Sequence, residues 1–150
     1  MTETTLRPIV EAFYKASADR DIETAIAFID DDVDWLVQGP IDVFAFFGQR
    51  RGKAAVIEGY REIGRRLDIT GYTVESLLVD GDRTAALIRL TAIVAATGKV
   101  MSIRTSQFAR FRAGKIIEMR AVVDSYDMVE QALGRPLDVR PSEVRLVAAG

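Results

Sequence analysis

Residues 84–126 constrain the fold more than any other stretch. Three segments rich in aliphatic and β-branched residues follow one another there, at 84–96, 100–111 and 116–123. Thr97-Gly98-Lys99 separates the first two and Ala113-Gly114-Lys115 the last two. Strand-like runs joined by short glycine-bearing turns read as antiparallel hairpins. An upstream run, 72–79, closes on Asp80-Gly81-Asp82, a further hairpin signal.

Side chains alternate across a sheet, so each segment divides into two faces. One face takes Ala86, Ile88, Leu90 and Ala92, then Ile103, Thr105, Gln107 and Ala109, then Ile117, Met119, Ala121 and Val123. The other takes Leu87, Arg89 and Thr91, then Ser102, Arg104, Ser106 and Arg110, then Glu118, Arg120 and Val122. An antiparallel sheet with one apolar face turns that face to the core. The first set is therefore expected inside, against helices and around any pocket. The arginines are expected outside. A one-residue bulge would reverse this locally.

The residue inventory removes whole classes of chemistry. The 150 residues include no Cys and no His. Thiol nucleophiles, disulfides, histidine bases and histidine metal sites are thereby excluded within one chain. Proton transfer would fall to Asp, Glu, Lys or Tyr. A net charge of -2 gives no nucleic-acid footprint. No signal-peptide pattern opens the chain and no apolar run reaches the roughly 20 residues of a membrane span. The expectation is a cytoplasmic protein with no cofactor, no membrane and no nucleic-acid partner.

Upstream of the meander the pattern is helical. A first helix is expected from Leu6, capped by Thr4 or Thr5, with Pro8 in its first turn and Leu6, Ile9, Val10 and Phe13 inward. Ile22, Ala25, Ile26 and Ile29 mark a second, short helix. Asp30-Asp31-Asp32 offers oxygen ligands of the kind hard cations prefer, but not at the spacing of a Ca²⁺ loop, so it reads as a solvated helix end and no metal site is assigned. Residues 33–38 read as a strand carrying Trp35, the single tryptophan, and Gly39-Pro40 ends it. Val43, Phe44, Phe46 and Phe47 crowd an irregular loop that reads as a pocket lid or a dimer contact. A third helix is expected to open at Arg50-Arg51-Gly52-Lys53, with Val56, Tyr60, Ile63 and Leu67 buried. After the meander, 124–133 reads as a short helix stopped by Gly134. The expected organisation is one domain over 1–134 and a tail over 135–150, packed on a neighbour through Val144, Leu146 and Val147.

This α+β order resembles the NTF2-like superfamily, in particular its SnoaL-like and ketosteroid-isomerase-like members. The likeness is carried by Val10-Glu11-Ala12-Phe13-Tyr14, Asp31-Asp32-Val33-Asp34-Trp35, Arg51-Gly52-Lys53-Ala54-Ala55-Val56, Val79-Asp80-Gly81-Asp82-Arg83 and residues 108–117. It implies a cone: a curved antiparallel sheet wrapped around about three N-terminal helices, a short C-terminal helix and a pocket between them. It also implies homodimers through the outer sheet face. Carried over by position, the isomerase tyrosine falls on Phe13, one residue before Tyr14. The base falls near residues 37–39, where there is no acid, and the sheet carboxyl falls near Gln107. The last-strand acid of the epoxide hydrolases falls on Ala121, its neighbouring aromatic on Met119, and the other acid and arginine around residues 88–91, where only Arg89 is ionisable. The acid of the cyclases has no counterpart on the inner face. The fold hosts many activities, so it does not choose one.

What remains is an apolar site with a few hydrogen-bonding groups. The candidate ligand-binding residues are Phe13, Tyr14, Trp35, Gln38, Tyr60, Thr105, Gln107 and Met119. Asp34, Asp124 and Tyr14 are the candidates for catalysis, with helix capping or pairing with Arg120 the competing role for Asp124. The expected function is a pocket for a small neutral metabolite, isomerase-, cyclase- or hydrolase-like but without those enzymes' acids. The alternative is a non-catalytic dimeric binding or assembly module.

Overall fold

The computed structural model describes residues 3–140. The elements run α1 (Glu3–Ala18), α2 (Ile22–Ala27), β1 (Ile29–Gln38), β2 (Gly48–Arg51), α3 (Lys53–Arg66), β3 (Leu67–Asp80), β4 (Arg83–Val94), β5 (Val100–Arg112), β6 (Lys115–Val123) and α4 (Ser125–Leu133). The strands form one six-stranded sheet in the order β2-β1-β6-β5-β4-β3. It curves around the helices, as the α+β reading requires. It is not antiparallel throughout: β1 runs parallel to β6.

The turns do what their residues dictate. Asp80 pairs with Arg83 across a two-residue turn in which Gly81 takes φ +61°. Arg112 pairs with Lys115 across Ala113-Gly114, at φ +50° and +76°. Positive φ at both central positions of the second turn, and at the first central position of the other, matches the right-handed twist of the flanking strands. Asp124 caps α4 by accepting a hydrogen bond from the Asp127 backbone N–H at 3.1 Å, and Gly134 ends the helix in the left-handed conformation at φ +73°.

Several boundaries differ from expectation. Helix α1 already runs from Glu3, so Pro8 sits inside it rather than in its first turn. Gly48–Arg51 is an antiparallel partner of β1, not the opening of a helix, and α3 begins at Lys53. The arginine run hid this short edge strand. Ile29 and Leu67 are strand residues, not helix stripe positions. In β6 a bulge against β5 shifts the register between Arg110 and Phe111. Ile116 is therefore wholly buried and Ile117 only partly so, the reverse of simple alternation. The expected contacts of Val144, Leu146 and Val147 lie outside the described residues.

Two clusters fill the cone. The larger joins Leu6, Val10, Phe13, Val33, Trp35 and Val56 to Ile88, Phe111, Ile116 and Met119. The second gathers Phe44, Phe46 and Phe47 on Leu67, Ala92, Met101, Ile103 and Met128. Met119 and Ile116 have no exposed surface, and burying each contributes about 1.5–3 kcal/mol. Residues 39–47 and α4 thus meet over one end of the sheet. Along the same stretch, Gln131 of α4 replaces a missing strand: it accepts from the Ser102 N–H and donates to the Ser102 carbonyl, both at 2.7 Å.

Candidate functional site

Inside the cone, polar groups are few and come from different elements. Tyr14 projects from α1 with 4% exposure, and its hydroxyl donates to Gln107 Oε1 of β5 at 3.1 Å. That bond fixes the orientation of the Gln107 amide. Gln107 Nε2 has no protein partner among the described residues and is left to donate elsewhere. Tyr60 enters from α3 with its ring 6.2 Å from Trp35, edge to face. Tyr72 enters from β3, packed on the same cluster. Burial raises all three phenols above their ordinary range. Neighbouring phenols add to it, Tyr60 acting on Tyr14, and both Tyr14 and Tyr60 on Tyr72, while a hydrogen bond to Ser17 opposes the rise at Tyr72. Phenols held neutral in this way donate hydrogen bonds and make poor bases.

The structure brings together Phe13, Tyr14, Trp35, Tyr60 and Met119 in one cluster, with Gln107 bonded to Tyr14. Phe13 stacks edge to face on Tyr14 at 5.0 Å and Phe28 at 6.2 Å. Thr105 is buried but spends its hydroxyl on the Val122 carbonyl at 3.2 Å. Gln38 is not with the tyrosines. It is exposed at the end of β1, lining an open depression of about 340 Å³ with Leu36, Gly39, Ile41, Gly48 and Val122.

The two carboxylate candidates also lie elsewhere. Asp34 faces outward, held by Arg120 at 2.7 Å, with Gln49 donating to it and Arg51 at 4.0 Å. The hydrogen bond from Arg120 lowers its pKa below the usual carboxylate value; Gln49 and Arg51 lower it further, while desolvation opposes them. Asp124 is occupied with the α4 cap. Phe44, Phe46 and Phe47 are buried at 5–8% exposure, while Ile41 and Val43 stay on the surface.

Two residues escaped the sequence reading. Tyr72 opens the 72–79 run that reads as a strand, but it lies inside β3, whose register shifts at Ile69/Gly71 and Val74/Ser76 spoil any parity argument. Arg50 read as part of a basic helix start. In fact it pairs with Trp35 across β1 and β2, so its side chain shares the inner face.

The SnoaL-like domain profile matches residues 10–119. The chain belongs to the SnoaL-like family. No curated protein sequence matches this SnoaL-like chain. Among solved structures, a protein from Rhodopseudomonas palustris provisionally classed as an isomerase is 41% identical, with TM-score 0.76 over 90% of this chain and 100% of that one. An NTF2-like protein of unknown function from Burkholderia pseudomallei is 18% identical, with TM-score 0.76 over 87% and 98%. An LEH-like epoxide hydrolase of M. tuberculosis is 22% identical, with TM-score 0.68 over 89% and 92%. The last two speak for the fold alone. No helix among the described residues is long and apolar enough to cross a membrane.

Proposed function

We propose that this SnoaL-like protein binds a small, mostly apolar molecule inside the cone and recognises one neutral oxygen on it. The observation that carries this is the Tyr14–Gln107 hydrogen bond, which commits Gln107 Oε1 and presents Nε2 to an acceptor. Trp35, Tyr60 and Met119 belong with Tyr14 to one apolar cluster, which in this reading would surround the ligand. No described carboxylate projects into this group, and the buried phenols resist ionisation. The chemistry on offer is therefore hydrogen-bond donation to a carbonyl or hydroxyl, with any reaction driven by positioning and polarisation rather than by a carboxylate base. The binding unit in this reading is residues 1–134, acting in the cytoplasm. The likeness to a protein classed as an isomerase is compatible with a polarised carbonyl.

The test uses the Met119 methyl group as a reporter. Titration with 2-tetralone, a neutral bicyclic ketone, is expected to shift its NMR resonance saturably, while exposed surface signals stay still. Uniform small shifts without saturation would reject the site.

A second reading, a dimeric module, has its own observation. Leu87, Phe108 and Val122 project from the outer face with 40%, 54% and 47% exposure. In the register Phe108 lies between Ala85 and Arg120, and Ser106 between Leu87 and Val122, which makes one continuous patch. The two readings are compatible, since they use opposite faces of one sheet.

A further inference from the structure

The inner face holds one cation whose bonding is incomplete. Arg50 shares the inner side of the sheet with Trp35. Its side chain lies across α3 at Gly59, so close that a Cβ there would sit 2.7 Å from Nε and 3.1 Å from Cζ. Only glycine leaves room for this crossing. One guanidinium nitrogen, Nη1, donates to the Ala55 carbonyl at 3.0 Å. Nε is buried and has no partner. Among the described residues no carboxylate lies within 4 Å of the group, although Arg51, Arg61, Arg65, Arg104 and Arg120 each have one. A buried guanidinium N–H without an acceptor is costly and calls for one.

The edge left over decides what would fit. With Nη1 committed to Ala55, Nε–H and Nη2–H remain, side by side in one plane. That pair matches the two oxygens of a carboxylate. Trp35 is the cross-strand neighbour of Arg50, and its ring lies 6.2 Å from that of Tyr60, the residue after the Gly59 that Arg50 crosses, so ring surface for an apolar body is close by.

We propose that Arg50 is a ligand-binding residue for a carboxylate, so that the molecule bound in the cone is an apolar carboxylic acid. The inference rests on the cone-binding reading above and adds a charge to it. It places the acid group at the β2–α3 seam and the neutral oxygen at Tyr14–Gln107. Strand β2 is four residues long and pairs only with β1, so this seam lies at an edge of the sheet.

The test compares benzoate, cyclohexanecarboxylate and benzamide, with 2-tetralone as the neutral control. The readouts are the Arg50 Nε–H and Trp35 indole N–H resonances. Both carboxylates are expected to move both signals saturably and to bind at least ten-fold more tightly than benzamide. Arg50→Lys keeps the charge but loses the fork, and Gly59→Ala displaces the guanidinium. Each is expected to bring the acids down to the affinity of the amide while 2-tetralone binding persists. Equal affinity of acid and amide in the unaltered protein would overturn the carboxylate assignment and leave the cone reading standing, provided 2-tetralone still binds. Failure of all four compounds would overturn both.

Discussion

Thr84 is 4% exposed, and its hydroxyl finds no partner. A buried donor without an acceptor loses its hydration and gains nothing in return. Thr84→Val keeps the shape and the β-branch, so it should stabilise the fold by about 1 kcal/mol, read as a higher midpoint in urea. Asp34 predicts the acid limb. Its folded pKa is held below the reference value of 3.8, chiefly by the hydrogen bond from Arg120. Its contribution is thus present above about pH 4 and lost as pH falls through the lower, folded value. Asp34→Asn should be less stable than the parent at pH 7, and the gap should close as pH falls through that lower value. A gap that persists at low pH would show that the carboxylate's charge is not what matters. The buried phenols act at the other extreme. Their folded values lie above the reference value of 10.0, so their contribution is complete below pH 10 and fades as pH rises past it.

Turns and caps are the elements the sequence specifies most directly. Asp80-Gly81-Asp82, Ala113-Gly114 and Asp124…Gly134 each carry the local chemistry of the conformation they adopt. Ala113 is the exception within this group, because φ +50° crowds its Cβ. Ala113→Asn relaxes that strain while keeping the turn type, and should raise the thermal midpoint by the equivalent of about 0.5–1 kcal/mol. Parity placed Ala86, Ile88, Ile103 and Met119 inside, but missed the exchange of Ile116 for Ile117. Bulges leave no composition signature, so this exchange could only be read from the pairing. For the same reason β2 and the inward Arg50 were illegible. Four residues with two arginines carry no strand pattern, and their face is set by a partner fifteen positions upstream. The edge of β5 that α4 covers is a further nonlocal feature. Gln131→Ala removes both bonds to Ser102 and should cost about 1 kcal/mol, with hydrogen exchange fastest at residues 100–104.

At the scale of the molecule, the sheet separates two surfaces that can be tested independently. Its outer face carries Phe108 among arginines, and the reading of that face as a dimer contact predicts a concentration-dependent mass in sedimentation. Phe108→Glu should make the protein monomeric without altering ligand binding. On the inner face, Gln107, oriented by Tyr14, is proposed to recognise a neutral oxygen on an apolar ligand beside Trp35. Trp35 is the single tryptophan, so its emission reports the site without a label. The decisive measurement is the change in that emission on titration with 2-tetralone and with tetralin, its hydrocarbon counterpart, in the parent and in Gln107→Leu. Saturable binding of the ketone is expected, at least ten-fold tighter than of the hydrocarbon, with near-equal affinities once Gln107 is gone. Equal affinities in the parent, or a ketone preference that survives Gln107→Leu, would contradict recognition by Gln107.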